Sequence, residues 1–406
     1  MGHALLLTNK RFLESKTMKL FALPLVASLL WAPVMLSKAF AEDTIPSVAE
    51  YVYITDFDSG RVLMNKNGET PMKPASMAKI MTSYMAFERI ADGSLSLDDE
   101  FVVSTRAWKK GGSRMFLDPN STVTIRELLH GIIVQSGNDA AIVLAEGLSG
   151  SEDAFADEMN DKARELGMFN TVFRNATGWP DPDLTTTAKD LNILSTALIQ
   201  NFPTDKYPEL YPIYKVKNYT YNDIKQGNRN PLIYSDESAD GLKTGHTEES
   251  GYGLVGSAMR GSQRVVMVLN GMKSKNERAQ ESRRLMDFMF REFKKYEFYD
   301  AAEVIDEANV WLGDSATVKL LAGGDVHKVM SRKERRDLEV SLNWSDPIPA
   351  PLKKGQAVGS ITLRYDGKQE DYPLIVAQDV TELGFFDRIT EAVKYLIFGS
   401  PFQPAG

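Results

Sequence analysis

The chain has 406 residues, of which 43% are hydrophobic and 25% charged, enough for two domains and possibly three. Its 47 basic and 55 acidic side chains give a net charge of −8, which disfavours a global nucleic-acid binder. The absence of cysteine excludes thiolate metal sites, iron–sulfur clusters, disulfides and a cysteine nucleophile, and no H-E-x-x-H zinc motif occurs.

The N-terminus has the organisation of an export signal. Four basic residues between positions 10 and 19 precede an apolar run over 20–36, and an A-x-A cleavage pattern follows at 39–41. We therefore expect a signal peptide over 1–41 and export to a bacterial periplasm, with Met18 as an alternative start to Met1. A retained membrane-spanning helix is disfavoured, because two prolines interrupt a run shorter than about 20 residues.

Periodicity predicts mixed helices and strands up to about residue 296. In chain order we expect a hairpin over 51–66, a helix over Ser76–Asp92, a capping box at Thr124–Glu127 that opens a helix over Leu128–Gln135, a helix over Glu152–Leu166, strands over Gly253–Ala258 and Arg264–Asn270, and a helix over Glu277–Phe293.

After about residue 297 the pattern changes to short alternating runs separated by glycine and proline, which is typical of a small β-sandwich or barrel. The runs are Ala308–Leu312, Ser315–Leu321, Leu338–Asn343, Ala357–Tyr365 and Leu374–Ala377. The sequence therefore predicts four segments: a signal peptide over 1–41, a first domain over 42–296, a β-rich domain over 297–380 and a terminal segment over 381–406.

The terminal segment contains an amphipathic helix. Apolar residues recur every three or four positions from Phe385 to Phe398 and draw one stripe. A helix of this length reaches about 21 Å, too short to cross a bilayer but suited to lying in its interface. We expect it to bind the membrane surface; the alternative is a helix docked on the protein's own core.

Three short motifs occur in a fixed order: Ser76-Met77-Ala78-Lys79 (S-x-x-K), Ser136-Gly137-Asn138 (S-x-N) and Lys243-Thr244-Gly245 (K-T-G). Singly each is a weak signal, and S-x-N recurs twice elsewhere in the chain. Taken alone, each residue could have a purely structural role, such as a helix cap or a surface lysine. All three motifs together, in this order, argue against that interpretation.

The residues around the first motif are suited to nucleophilic catalysis. Ser76 follows Pro74-Ala75 at an expected helix start, and Lys79 lies one turn further on the same face. A serine hydroxyl needs a base, and a lysine amine serves only when it is neutral. Burial and a nearby cation such as Lys243 both lower a lysine pKa. Free backbone N–H groups at the helix start stabilise an oxyanion.

On these motifs the chain resembles the penicillin-binding protein and serine β-lactamase superfamily, and within it the low-molecular-mass D-alanyl-D-alanine carboxypeptidases. The resemblance covers about 42–402 and includes Lys243–Thr247 and the terminal helix. It implies an α+β fold: a β-lactamase/DD-peptidase-like catalytic domain with an antiparallel sheet flanked by helices, then a small all-β domain and the amphipathic helix.

The resemblance also implies a role for each site residue. Ser76 resembles the acylated nucleophile, Lys79 its base and Ser136 a proton relay; Asn138 resembles a ligand of the substrate amide. Lys243, Thr244 and Arg229 resemble carboxylate ligands, and the backbone N–H groups of Ser76 and His246 an oxyanion hole. Gly245 would let the backbone approach the substrate closely. The stretch Trp108–Met115 resembles a loop that affects deacylation.

The implied reaction is hydrolysis of the terminal D-alanine from a peptidoglycan stem peptide, without metal or cofactor, at the periplasmic face of the inner membrane. β-Lactams would bind covalently, and no nucleic acid is expected as a partner. Two alternatives stay open. A β-lactamase is disfavoured because Ala188-Lys189-Asp190-Leu191-Asn192 has alanine where E-x-x-L-N has glutamate. The other is a catalytically silent cell-wall scaffold.

Overall fold

The computed structural model describes residues 45–398, so the predicted signal peptide lies outside the described residues. The strands of the first part are β1 Tyr51–Asp56, β2 Val62–Lys66, β3 Glu100–Val102, β4 Thr122–Thr124, β5 Asn218–Tyr221, β6 Ile224–Gly227, β7 Ala239–Thr247, β8 Gly251–Arg260 and β9 Gln263–Met272. Its helices are α1 Lys79–Ala91, α2 Thr105–Lys109, α3 Ile125–Ile133, α4 Asn138–Ser149, α5 Glu152–Leu166, α6 Ala188–Asn201, α7 Leu232–Ser235 and α8 Lys275–Glu292, with 3₁₀ turns at Ala75–Ala78 and Tyr211–Lys215.

Five of these strands form one antiparallel sheet in the order β2-β1-β9-β8-β7. Both of its faces are buried, as β9 illustrates. Val266 and Val268 join the core shared with the helices between β2 and β7, whereas Val265, Met267 and Leu269 join the core beneath α8. Each such side chain contributes about 1.5–3 kcal/mol when it leaves water. This confirms the predicted sheet flanked by helices.

The helical region confirms the predicted capping box. The Thr124 hydroxyl accepts the backbone N–H of Glu127, whose carboxylate in turn accepts the backbone N–H of Thr124. The box opens α3, whose apolar face packs into the larger core. α3 ends at Ile133, so residues 134–137 form a short loop before α4.

The second part is rich in strands, as predicted. Its elements are β10 Phe293–Tyr299, β11 Val304–Trp311, β12 Thr317–Ala322, β13 Val326–Ser331, α9 Arg332–Arg336, β14 Glu339–Trp344, β15 Ile348–Pro349, β16 Ala357–Tyr365, β17 Lys368–Val376 and α10 Phe385–Phe398. Six strands form a sheet in the order β14-β16-β17-β12-β11-β15, and β10 pairs with β13. The expected boundary at 297 falls within β10, and the domain limits stay predictions.

An ion pair joins the two parts of the chain. The Arg61 guanidinium, just before β2, donates to both carboxylate oxygens of Glu334 in α9 at 2.7 and 2.8 Å, and also to the carbonyl oxygen of Val329. Burial raises the pKa of Glu334, but the hydrogen bonds from Arg61 and Ser331 and the charge of Arg61 together hold that pKa below its usual value. The pair therefore fastens α9 to the first sheet.

Helix α10 has the predicted bounds, and most of the described side chains of its apolar stripe are exposed. Phe385, Phe386, Leu396 and Ile397 are between 66% and 81% exposed. Docking on the protein's own core would have buried them. Within residues 45–398, no helix is long and apolar enough to cross a bilayer.

Candidate active site

Ser76 lies on a single 3₁₀ turn, Ala75–Ala78, rather than in the first turn of α1, which begins at Lys79. The expected helix start was therefore one turn too early. Ala75 has a left-handed φ of +47°, which turns the chain sharply before the serine. The Ser76 side chain caps neither the turn nor α1, so the purely structural role of an N-cap does not apply.

Lys79 lies directly behind Ser76 and is fully buried. Its Nζ is 3.3 Å from Ser76 Oγ, 2.7 Å from Asn138 Oδ1 and 2.6 Å from the carbonyl oxygen of Thr177. The first distance confirms the predicted juxtaposition of serine and lysine. The other two contacts hold the amine in place while it faces the hydroxyl.

The protonation state of Lys79 follows from its surroundings. Burial, and after it the positive charge of Arg229, lower the pKa of Lys79 to about 7 against the opposing charges of Asp139 and Glu152. A substantial fraction of the amine is therefore neutral near pH 7, as a base requires. From the sequence we expected Lys243 to be the cation that lowers the pKa of Lys79. In the structure burial is the largest cause, and Arg229 has the largest effect among the cations.

The second motif forms the opposite side of the site. Ser136, in the loop between α3 and α4, has a left-handed φ of +63°, and its buried hydroxyl has no hydrogen-bond partner among residues 45–398. Asn138 is the first residue of α4. Its Oδ1 accepts from Lys79, and its Nδ2 donates to the carbonyl oxygen of Gly111 at 2.9 Å. One of its two amide N–H groups is left for a substrate.

The third motif lies on β7, an edge strand of the sheet. Lys243 is 2% exposed, and its Nζ donates a hydrogen bond to the carbonyl oxygen of Thr244 at 3.3 Å. Burial, and then the charge of Lys79, hold the pKa of Lys243 well below its usual value.

Two glycines allow β7 and a second segment to press against the turn that carries Ser76. A Cβ on Gly245 would lie 2.9 Å from the carbonyl oxygen of Pro74, and one on Gly178 only 1.8 Å from that of Ala75. Gly178 also has a φ of +73°. The close approach at Gly245 is thus toward the serine turn, whereas the sequence suggested an approach toward substrate.

These elements enclose an open cleft of about 440 Å³. The predicted residues that line it are Ser76, Ser136, Arg229, Thr244, Gly245 and His246, and the residues that the sequence did not single out are Tyr252, Lys275 and Arg278. Lys79, Asn138 and Lys243 lie buried among them. The structure therefore brings together every predicted site residue.

Tyr252 and Arg278 reach the cleft through tertiary packing. Tyr252 pairs with His246 across β7 and β8, and their rings lie 3.9 Å apart. The Arg278 guanidinium, from α8, lies 5.7 Å from the Tyr252 ring. Burial lowers the pKa of Arg278 to about 10, against the opposing effect of Tyr252. Pairing across the hairpin was the only sequence signal that could have identified Tyr252.

The stretch Trp108–Met115, which begins in the last two residues of α2, is hydrogen-bonded to the second motif and to the residue after it. The carboxylate of Asp139 accepts the backbone N–H groups of Met115 at 2.7 Å and Phe116 at 2.9 Å, and the Asn138 N–H donates to the carbonyl oxygen of Ser113 at 2.7 Å. The sequence did not single out Asp139. Among residues 45–398 no group of three acidic or histidine side chains could hold a metal ion.

Comparison with known proteins agrees with this geometry. Residues 38–274 match the family of D-alanyl-D-alanine carboxypeptidases, and residues 293–382 match the C-terminal domain of penicillin-binding protein 5. The chain is 38% identical to D-alanyl-D-alanine carboxypeptidase DacC of Escherichia coli, over 89% of this chain and 93% of that protein.

Solved structures give the same result. Penicillin-binding protein 5 from Haemophilus influenzae is 34% identical with a TM-score of 0.68, over 83% of this chain and 99% of that one. The ampicillin-bound form of penicillin-binding protein D2 from Listeria monocytogenes is 28% identical with a TM-score of 0.55, over 61% of this chain and 99% of that one. The chain therefore belongs to the D-alanyl-D-alanine carboxypeptidases, a family of serine-type peptidases.

Proposed function

We propose that the protein removes the terminal D-alanine from peptidoglycan stem pentapeptides through an acyl-enzyme on Ser76, and that β-lactams acylate the same hydroxyl. One observation carries the proposal: a buried lysine with a lowered pKa contacts the hydroxyl of Ser76 in a cleft lined by cations. Such a cleft suits a peptide that ends in a carboxylate beside its reactive carbonyl.

In the acylation step, Ser76 Oγ attacks the carbonyl carbon of the penultimate D-alanine and Lys79 Nζ takes the hydroxyl proton. The backbone N–H groups of Ser76 and His246 stabilise the oxyanion. Ser136 relays a proton to the amine of the leaving D-alanine, a role that its unpartnered hydroxyl permits. Water then hydrolyses the ester and restores Ser76.

Lys243, Thr244 and Arg229 hold the substrate's terminal carboxylate. Lys243 has no ion-pair partner among residues 45–398, so a carboxylate would supply the missing counter-charge. Asn138 holds Lys79 and offers its remaining amide N–H to the substrate's amide carbonyl. Gly245 packs against the turn that carries Ser76 with no room for a side chain, so β7 lies close to Ser76. This fixes the distance between the substrate's carboxylate and the nucleophile.

The two alternatives are weaker. A β-lactamase of the E-x-x-L-N type needs a carboxylate base, and Ala188 stands at that position of the motif. A silent scaffold would not need a lysine amine buried against a serine hydroxyl, because burying such a group without function costs free energy. The geometry thus favours the peptidase.

Mass spectrometry of a purified stem pentapeptide incubated with the protein tests this function. We expect the pentapeptide to lose one alanine residue, and we expect no cross-linked peptides to form when the concentration of acceptor amine is low. A D-alanyl-D-lactate depsipeptide with the same acyl part serves as a positive control for acylation, because an ester is easier to cleave. An unchanged pentapeptide alongside rapid turnover of penicillin would favour the β-lactamase.

We further propose that the protein is exported through residues 1–41 and rests at the periplasmic face of the inner membrane on α10. The exposed side chains Phe385, Phe386, Leu396 and Ile397 support this, because exposed apolar side chains lose contact with water when they enter the lipid interface.

Deletion of residues 381–406 is expected to abolish sedimentation with phospholipid vesicles while leaving D-alanine release intact. A milder variant, Phe386→Asp with Leu396→Asp, is expected to weaken binding at least about tenfold, since each buried side chain contributes about 1.5–3 kcal/mol. Asp387→Asn, on the polar face, is the matched control. Sedimentation that survives the deletion would contradict the proposal.

A further inference from the structure

The wall of the cleft nearest α8 carries more positive charge than a terminal D-alanine requires. Arg229, Lys275 and Arg278 line the cleft, and Lys243 lies buried beside them. No lining residue is acidic, and within the described part of the chain none of these four cations forms an ion pair with a carboxylate. A single carboxylate neutralises one of these charges.

Arg278 is a buried part of this surplus positive charge in the cleft lining. It is only 7% exposed, and its Nε has no hydrogen-bond partner among residues 45–398. One Nη is 3.5 Å from the carbonyl oxygen of Arg229, a long and weak contact. A buried guanidinium with an unsatisfied N–H in a cleft wall is suited to an anionic ligand.

Lys275 extends this charge toward solvent. It lies three residues before Arg278 on α8, so both side chains project from one face of the helix. Lys275 is exposed and has no carboxylate partner within residues 45–398. The proposed function assigns Lys243, Thr244 and Arg229 to the terminal carboxylate, which leaves Lys275 and Arg278 for a second anionic group.

We propose that Lys275 and Arg278 form a subsite for a second carboxylate, carried by the side chain of the leaving residue. This rests on the proposed function and names its substrate class: peptides in which the leaving D-residue is acidic or is itself joined to a carboxylate-bearing peptide. The chemistry is unchanged. The amide bond to the leaving residue breaks, its nitrogen takes the proton, and water completes the acid.

The test compares three substrates with one acyl part: N-acyl-D-Ala-D-Ala, N-acyl-D-Ala-D-Glu and N-acyl-D-Ala-D-Gln. The amide is a neutral isostere of the acid, so the ratio of kcat/KM for D-Glu over D-Gln isolates the charge. We expect a ratio of about 3–5 in the wild type at low salt, falling toward 1 at about 0.5 M salt because Lys275 is solvated.

Lys275→Gln should bring the ratio close to 1, and Lys275→Glu should bring it below 1. Lys273→Gln, which changes an exposed lysine outside the cleft lining, should leave the ratio as in the wild type. A cross-linked stem peptide is the second arm: preference for it but not for D-Glu would place the second carboxylate further along the leaving chain.

A wild-type ratio of 1 for D-Glu over D-Gln, together with no advantage for the cross-linked peptide, would overturn the subsite. So would a ratio that Lys275→Gln and Lys275→Glu leave unchanged. Failure of the proposed function is distinguishable, because N-acyl-D-Ala-D-Ala itself would then not be hydrolysed by the wild type.

Discussion

Ser76→Ala is expected to abolish covalent labelling by a fluorescent penicillin and to reduce D-alanine release by at least about 10⁴-fold. The reason is that Ser76 Oγ is the hydroxyl within reach of Lys79 Nζ, at 3.3 Å, in the cleft. Removing it deletes the atom that would carry the acyl group, while both other acceptors of Lys79 remain. Gel fluorescence and chromatography of released D-alanine measure the two effects.

Two controls make this result interpretable. Ser262→Ala removes an exposed hydroxyl in the turn between β8 and β9 and should label as the wild type does. Thermal unfolding of Ser76→Ala should show a Tm close to that of the wild type, because the serine caps no helix. Undiminished D-alanine release from a folded Ser76→Ala protein would refute the assignment of the nucleophile.

The pH dependence of acylation is expected to report the base. Because burial lowers the pKa of Lys79 to about 7, the second-order rate of penicillin acylation should fall about tenfold per unit below pH 7 and level off above it. Lys79→Arg should be inactive from pH 5 to pH 10, because a guanidinium stays protonated throughout. A flat profile between pH 5 and pH 8 would contradict the assignment.

The pH dependence of the free energy of unfolding reports independently on the protonation of Lys79. The folded pKa of Lys79, about 7, lies below its value of about 10.5 in an unfolded chain. Between these values the unfolded chain binds more protons, so the free energy of unfolding should rise with pH in that window. Lys79→Met should lose this part of the slope when urea unfolding is compared at pH 7 and pH 10. An equal slope in the variant would show that Lys79 is charged in the folded protein.

Much of the fold could be predicted from the sequence, because the patterns that indicate its elements are local. The hairpin over 51–66, the capping box at Thr124 and the strands of the second part depend on turn residues and on a period of two, and all were observed. The turn Ala75–Ala78 was taken for the start of α1, since a short 3₁₀ turn and a helix share the same hydrophobic spacing over a few residues.

Only those parts of the site that belong to side-chain motifs could be predicted from the sequence. The motif residues were identified correctly as neighbours, but the carbonyl of Thr177 that holds Lys79 carries no side-chain signature. Arg278 depends on how α8 packs across the sheet, which spacing along the chain does not encode. Asp139 follows the second motif directly, yet its partners are backbone N–H groups of a distant loop.

The hydrogen bonds and ion pairs of the buried acids near Lys79 limit which group can activate water when the acyl-enzyme is hydrolysed. Asp139 accepts four backbone N–H groups, and Glu152 is held by Arg106 and by the N–H of Ala176. Neither carboxylate is free to activate water, so we expect the Lys79 amine to activate it in the second half of the reaction as well. A departing D-alanine would vacate the space that this water needs. A ring-opened β-lactam would keep its amine tethered in the cleft, and we therefore expect its ester to be hydrolysed more slowly than that of the peptide.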